Sequence, residues 1–164
     1  MKKSSTFFRG LISVLFLAAI LLSITGCQEP ETITGSSPFT EFTSPKGTYT
    51  STYGETYVIT DTSFSYSSEM DWEGVTYTTT IIGTDLAIVY LTETAGILYY
   101  KVTGVDKWAA TAYKNVTSAG AALSNAYKAA EAGGKEYCDT LQEAKTEFTI
   151  DNGYFAYFGQ YAKE

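Results

Sequence analysis

Few side chains in this sequence can carry out chemistry, and the two cysteines, Cys27 and Cys138, are the most reactive of them. The chain contains no histidine. Ser-His-Asp and Cys-His nucleophiles therefore cannot form, and two thiols are too few for a four-thiolate metal site or a disulfide framework. We accordingly expect no catalytic residues, no metal site and no cofactor, so the protein is not expected to be an enzyme.

Cys27 ends an N-terminal segment with the layout of a bacterial secretion signal. An apolar run over residues 11–24 is shorter than the roughly 20 residues that a membrane-spanning helix needs, and three basic residues precede it: Lys2, Lys3 and Arg9. The run ends in Ile24-Thr25-Gly26-Cys27, which resembles the lipobox of bacterial lipoproteins. The resemblance implies cleavage between Gly26 and Cys27, diacylglycerol on the Cys27 thiol, and a further acyl chain such as palmitate on the new amine. The alternative is an uncleaved N-terminal membrane helix in which Cys27 occurs by chance.

Lipidation determines where we expect the protein to reside, because two or three acyl chains hold a protein on a bilayer far more firmly than one. All 18 acidic residues but only eight of the 11 basic residues follow Cys27, so the mature chain carries a formal charge of −10. Such a surface repels nucleic acid and gains little from anionic headgroups, so the acyl chains must supply the attachment. Asp after the lipidated cysteine retains lipoproteins of enteric bacteria at the inner membrane. Gln28 stands there instead, so we expect the outer membrane of the cell envelope.

Three segments follow from this assignment. Residues 1–26 are the predicted signal peptide, and residues 27–45 are the lipidated cysteine with a flexible tether that contains all three prolines of the protein. Residues 46–164 are predicted to form one domain, a size that suits a single hydrophobic core. Phe39 and Phe42 are candidates for docking on the edge of this domain.

Short runs rich in Thr and Tyr alternate with turn signals over residues 47–115, a stretch without proline. These runs predict seven strands in hairpin order, with residues 83–85 as the turn between the fourth and the fifth. Residues 117–132 fit either a helix, from their alanine content, or an eighth strand, which we favour because it would cover an open sheet edge. We therefore predict an all-β fold, an antiparallel up-and-down meander of about eight strands, closed as a barrel or folded as a sandwich.

The C-terminal part of the chain is expected to add a short helix near residues 140–148. Asp139 is the predicted N-cap of this helix, and Gln142 stands at the reciprocal position of a capping box. Residues 153–161 contain five aromatic side chains, which water solvates poorly. This last segment should therefore pack on the domain.

The first predicted strand opens with Gly47-Thr48-Tyr49, after a lipobox and a polar tether, and this combination resembles bacterial lipocalin-like lipoproteins. Lipocalins have Gly-x-Trp at this place, so Tyr49 stands in the Trp position. The basic residue that partners the Trp has no equivalent here other than Lys128. The resemblance implies a small up-and-down barrel of eight strands followed by a helix, an apolar ligand cavity in many members, and no catalytic residues to carry over.

Two functions fit a lipid-anchored barrel of this size. The working expectation is that the barrel binds a small apolar ligand. The alternative is a surface or structural interaction module, with a filled barrel that meets a partner through its Tyr and Thr side chains. The inward residues decide between the two, because bulky Tyr, Ile and Leu would fill the interior, whereas three alanines would leave space: Ala87, Ala110 and Ala112. No ligand-binding residue is assigned.

Three further features have competing interpretations. Trp72 is a candidate for an exposed contact, whereas Trp108 is expected in the core or at the barrel rim. An acidic cluster around Trp72 lacks the ligand spacing of an EF-hand, so a solvated turn is a simpler interpretation than a Ca²⁺ site; its members are Glu69, Asp71 and Glu73. Cys138 has no cationic neighbour in sequence, so a buried, idle thiol is favoured over an intermolecular disulfide or a reactive group.

Overall fold

Eight antiparallel strands, joined in chain order, close into a barrel in the computed structural model, which describes residues 41–164. The strands are β1 Gly47–Thr50, β2 Thr56–Ile59, β3 Phe64–Trp72, β4 Val75–Thr92, β5 Ala95–Val102, β6 Lys107–Lys114, β7 Gly120–Asn125 and β8 Gly159–Lys163. β8 pairs with β1 and so closes the ring. The predicted all-β meander is therefore confirmed, and of the two expected closures it is the barrel.

The predicted lipidation site, Gly26 and Cys27, lies outside the described residues, as do Phe39 and the tether up to residue 40. The last tether residues run along the barrel. The ring of Phe42 stacks on that of Tyr90 with 4.4 Å between centroids, and the Thr43 N–H donates to the carbonyl of Glu93 at 2.8 Å. The predicted docking of Phe42 is confirmed, and the chain enters the domain beside the turn between β4 and β5.

β4 is a single strand of 18 residues, so the predicted turn at residues 83–85 is wrong. Gly83 pairs with residues of both neighbouring strands, and the ladder to β5 shifts register between Thr84 and Ala87 and again between Tyr90 and Thr92. A Cβ on Gly83 would lie 2.6 Å from a ring carbon of Tyr100. The glycine therefore provides space for an aromatic ring of β5, and Asp85, with a φ of 54°, marks a bulge in place of a turn.

The merging of two predicted strands into β4 changes which segment closes the barrel. The favoured strand within residues 117–132 is confirmed as β7, and a short 3₁₀ turn, Ala130–Ala132, follows it. The eighth strand is β8, from the C-terminal aromatic segment, which pairs with both β7 and β1. The α-helix of the domain lies between β7 and β8, whereas the lipocalin resemblance implied a helix after the eighth strand.

That helix, α1, spans Leu141–Glu147, as predicted. Its cap is one residue later than expected. Thr140 Oγ1 accepts a hydrogen bond from the N–H of Glu143 at 3.1 Å, and Glu143 Oε2 accepts one from the N–H of Asp139, also at 3.1 Å. Thr140 is therefore the N-cap, and Glu143 bonds back to the start of the helix, roles that the prediction gave to Asp139 and Gln142. The N-cap is the extended residue directly before the first helical one, and that residue is Thr140.

Gly83→Ala tests whether space for Tyr100 is the role of this glycine. We expect the free energy of unfolding to fall by about 1–3 kcal/mol, because the added methyl group overpacks the interior. Urea unfolding monitored by far-UV circular dichroism gives the value. Thr84→Ala, on the exposed neighbour, is the control and should change it by less than about 0.5 kcal/mol. A Gly83→Ala protein as stable as the wild type would contradict this role.

Candidate functional site

The barrel interior is filled by large side chains. Seven of them are at most 2 % exposed: Tyr49, Tyr57, Phe64, Leu98, Tyr100, Tyr113 and Leu123. The rings of Phe64 and Tyr100 stack with 4.0 Å between centroids, and Tyr57 meets Tyr161 edge-on at 5.0 Å. Because an eight-stranded barrel is only just wide enough for its own side chains, this set leaves little room for a ligand.

The three alanines that would have left space lie elsewhere. Ala87, Ala110 and Ala112 belong to a second apolar cluster on the outer wall of β4, β5 and β6, beneath α1 and the C-terminal segment. Phe148 and Tyr154 pack there edge-on at 5.0 Å, and the hydroxyl of Tyr99 donates to the carbonyl of Phe148 at 3.0 Å. The small residues therefore let the helix approach the outside of the sheet. The side chains that point into the barrel are the bulky ones.

The Gly47-Thr48-Tyr49 segment has a basic partner, but it is not Lys128. Tyr49 is completely buried, and the ammonium of Lys163, on β8, lies 5.5 Å from its ring centroid. A Cβ on Gly47 would lie 2.5 Å from Cε of Lys163, so the glycine makes room for this side chain. Lys128 instead lies 5.4 Å from the ring of Tyr154. The cation–π pair thus joins the first and last strands across the closure of the barrel.

Two interior hydroxyls, those of Tyr49 and Tyr113, have no hydrogen-bond partner within the described part of the chain. Burial raises the pKa of both phenols above the ordinary value, and for Tyr113 nearby tyrosines raise it further. Burial also raises the pKa of Tyr100, which packs in the same interior cluster. The interior therefore stays uncharged at neutral pH and offers a bound molecule no ionised group.

Glu55 ties the β1–β2 turn to two strands at one mouth of the barrel. Its carboxylate accepts hydrogen bonds from the hydroxyls of Tyr66 at 3.0 Å and Tyr161 at 2.8 Å. Burial raises the pKa of Tyr161, and the bond to the carboxylate raises it further, because ionising the phenol would place two negative charges together. This cluster closes the barrel mouth with paired polar groups and holds no free nucleophile.

β3 and β4 extend beyond this mouth as a two-stranded ribbon, residues 68–81, which we call the projecting hairpin. Its turn residues Glu73 and Gly74 have φ values of 53° and 79°, as in the type I′ turns that suit the twist of a hairpin. Two cross-strand pairs lie on one face, Met70 with Tyr77 and Trp72 with Val75. The acidic residues around Trp72 predicted only a solvated turn here, whereas these four residues alternate with polar ones, as strand residues do.

The face that carries these pairs continues the inner face of the barrel, because Phe64 and Tyr66 occupy the same alternate positions of β3. Beyond the mouth its side chains are exposed. Met70, Trp72, Val75 and Tyr77 are 60 %, 61 %, 53 % and 52 % exposed. The expected exposure of Trp72 is confirmed, and these four side chains together form a contiguous apolar surface.

The opposite face of the projecting hairpin is polar and acidic. Glu69 and Asp71 lie on it, and the hydroxyl of Thr76 donates to Asp71 at 2.6 Å. Within residues 41–164, no three acidic, cysteine or histidine side chains come together as metal ligands. The acidic residues around Trp72 lie at and beside a charged hairpin turn.

Cys138 is buried and lies beside Trp108 at the start of β6, where the two residues exchange backbone hydrogen bonds of 2.8 and 2.9 Å. Burial raises the pKa of its thiol to about 11, and nearby carboxylates contribute. The thiol is free and protonated at neutral pH, so it lacks the thiolate that a reactive cysteine needs. Of the three interpretations of Cys138, the structure supports the buried, idle thiol.

No protein-family model, curated protein or solved structure matches this chain at a significant level. The described residues contain no helix of the length and apolarity that a membrane crossing requires. The function must therefore be inferred from the side chains that the barrel presents, and the projecting hairpin is the exposed feature with the most distinctive chemistry.

Tyr113→Phe removes a buried hydroxyl without breaking a hydrogen bond. We expect the free energy of unfolding at pH 7 to stay unchanged or to rise by up to about 3 kcal/mol, because an unsatisfied polar group is lost. Tyr99→Phe is the matched control and should lower it by about 0.5–1.5 kcal/mol, since it leaves the Phe148 carbonyl unpaired. Urea unfolding measures both, and a Tyr113→Phe protein less stable than Tyr99→Phe would reveal a missed partner.

The same variant has a defined effect at alkaline pH. Above pH 10 the unfolded chain releases phenolic protons that the buried tyrosines retain, so stability falls as the pH rises, by about 1.4 kcal/mol per pH unit for each such group. Tyr113→Phe removes one of these groups. The fall in unfolding free energy between pH 10 and pH 11 should therefore be smaller than in the wild type, and an equal slope would show that Tyr113 ionises in the folded barrel.

Proposed function

We propose that this protein is a lipid-anchored, non-catalytic interaction module of the bacterial cell envelope, and that its projecting hairpin contacts a protein partner. The exposed apolar face of Met70, Trp72, Val75 and Tyr77 carries this proposal. Aromatic residues and methionine are enriched at protein interfaces, and soluble monomers rarely expose contiguous apolar patches without a function. The filled interior supports the same conclusion, because it removes the main reason to expect a ligand inside.

The topology of the barrel supports an anchor at one end and a contact at the other. In an up-and-down barrel, alternate turns lie at opposite ends, so the β3–β4 turn and the β4–β5 turn are at different ends. The chain arrives beside the β4–β5 turn, where Thr43 bonds to Glu93. The chain that follows the proposed outer-membrane anchor at Cys27 therefore enters the domain at the end away from the tip of the hairpin.

Binding of a small apolar ligand is the second candidate function, and it would use the outside of the barrel. A groove of about 490 Å³ lies between β4, β5 and the end of α1. Val89, Leu91, Ile97 and Ile150 supply its apolar lining. This groove is open along its length and would cover only one side of a ligand, so we rank it below the projecting hairpin.

Cys27→Ala tests the anchor. In cells fed an alkyne analogue of palmitate, we expect the wild-type chain to carry the label in the membrane fraction, and the variant to remain unlabelled at the mass of the uncleaved precursor. Cys138→Ala is the matched control, because it removes the other thiol of the chain and should keep the label. A Cys27→Ala chain that is still labelled and cleaved would disprove the anchor.

Photocrosslinking tests the partner surface. With benzoylphenylalanine in place of Tyr77, we expect a discrete crosslinked protein in intact envelopes, and Trp72→Ala should weaken that crosslink at least about ten-fold, as for an aromatic at the centre of an interface. The control position is Tyr157, which is 79 % exposed on another part of the barrel and should give no such product. Equal products at both positions would contradict the proposal.

A further inference from the structure

The projecting hairpin has open edges on both sides. β2 pairs with β3 only as far as Ser67, and the β5 ladder on β4 begins only at Gly83. The two strands pair with each other up to Trp72 and Val75. Each strand of the ribbon therefore carries a row of backbone groups on its outer side without a neighbouring strand among the described residues.

The open edge of β4 presents the backbone of three threonines. The carbonyl of Ile82 accepts a hydrogen bond from Thr103 at 2.8 Å, on the side away from β3. Because the N–H and C=O of a strand residue point to one side, and alternate residues point to opposite sides, Thr76, Thr78 and Thr80 have theirs on the open edge. Three backbone N–H groups and three backbone carbonyls therefore face outward with the spacing of a β-ladder.

This edge lacks the devices that usually keep sheet edges unpaired. Between residues 75 and 82 the strand has no proline and no charged residue, and its register to β3 is unbroken. The open edge of β3 differs, because the residues whose backbone groups face outward there, Glu69 and Asp71, are charged. The edge of β4 is therefore the one suited to accept another strand.

The acidic residues near this edge indicate which kind of strand would pair with it. Residues 64–83, which include the whole projecting hairpin, contain no Lys or Arg but three acids: Glu69, Asp71 and Glu73. A second copy of this chain would bring the same acidic ribbon against it, and like charges across an interface oppose pairing. A basic strand would be attracted.

We infer that the open edge of β4 accepts an extended basic segment of a partner protein as an added strand, an inference that rests on the proposed function. Such a segment would form a ladder with Thr76, Thr78 and Thr80. Apolar side chains on one of its faces would rest beside Val75 and Tyr77. Basic side chains on its other face would reach toward Asp71 and Glu69, which pair with Thr76 and Thr78 across the ribbon.

The test uses the full chain in micelles of a non-ionic detergent and a fluorescein-labelled ten-residue peptide of alternating lysine and valine. Fluorescence anisotropy should show saturable binding that weakens with salt, and hydrogen exchange should slow in residues 75–82. A peptide of alternating glutamate and valine should not bind. A lysine–valine peptide with N-methyl groups on alternate residues, which cannot complete a ladder, should also fail.

Thr78→Pro is the decisive variant, because its lost N–H points to the open edge and is not used by the pairing with β3. Binding should weaken at least about ten-fold, the loss expected when the added ladder is interrupted. Thr78→Val keeps the N–H and should bind as the wild type does. Circular dichroism and the exchange rates of the barrel amides show whether each variant is folded.

Several outcomes would overturn the inference. The first is binding of the lysine–valine peptide by Thr78→Pro as tightly as by the wild type, and the second is binding of the glutamate–valine peptide. A slowing of hydrogen exchange outside residues 75–82 in place of that segment would also overturn it. A dimer that light scattering detects and Thr78→Pro abolishes would identify a second copy as the occupant instead. If the Tyr77 crosslink is lost in Trp72→Ala but kept in Thr78→Pro, the projecting hairpin remains the partner surface and only the added strand is refuted.

Discussion

The pairing of β8 with β1 is the contact on which the rest of this structure depends. It is short, with Tyr49 opposite Lys163 and Thr50 opposite Ala162, and a further bond of 3.0 Å joins the N–H of Glu164 to Thr48. It converts an open sheet with two exposed edges into a ring. The same strand brings Tyr161 into the interior and Lys163 over Tyr49, so closure and core packing form together.

Tyrosine is the residue that makes this core possible, and it also limits what the core can do. Its ring is large enough for a few side chains to fill the barrel, while its hydroxyl requires a partner wherever water is excluded. At the mouth Glu55 meets that requirement for Tyr66 and Tyr161, whereas the buried hydroxyls of Tyr49 and Tyr113 have no partner among residues 41–164. A filled, neutral interior results, and the chemistry available for recognition moves to the outside.

The sequence was sufficient to predict elements whose evidence is local. Alternation of Tyr and Thr with turn signals located most strands, and the residues around Thr140 located the helix to within one residue. It was insufficient where a residue's role depends on a distant strand. Gly83 looks like part of a turn until the ring of Tyr100, across the sheet, is considered. The closing strand and the partner Lys163 were missed for the same reason, and the bulge after Thr84 changes which side chains of β4 face inward.

The projecting hairpin follows from a difference in strand length. β3 and β4 are 9 and 18 residues long, whereas their outer neighbours β2 and β5 have 4 and 8. Where the neighbours end, the inner face of the sheet ceases to be a core and becomes a surface. On this face the polar pair Ser68 and Thr79 separates the core pair Tyr66 and Ile81 from the exposed apolar pairs at the tip. A ribbon that served only to close the barrel would stay polar from there to its tip, whereas apolar side chains return in the two pairs nearest the turn. An exposed apolar face near the tip, combined with an uncharged edge of threonines and an acidic opposite face, is what a strand-accepting surface requires.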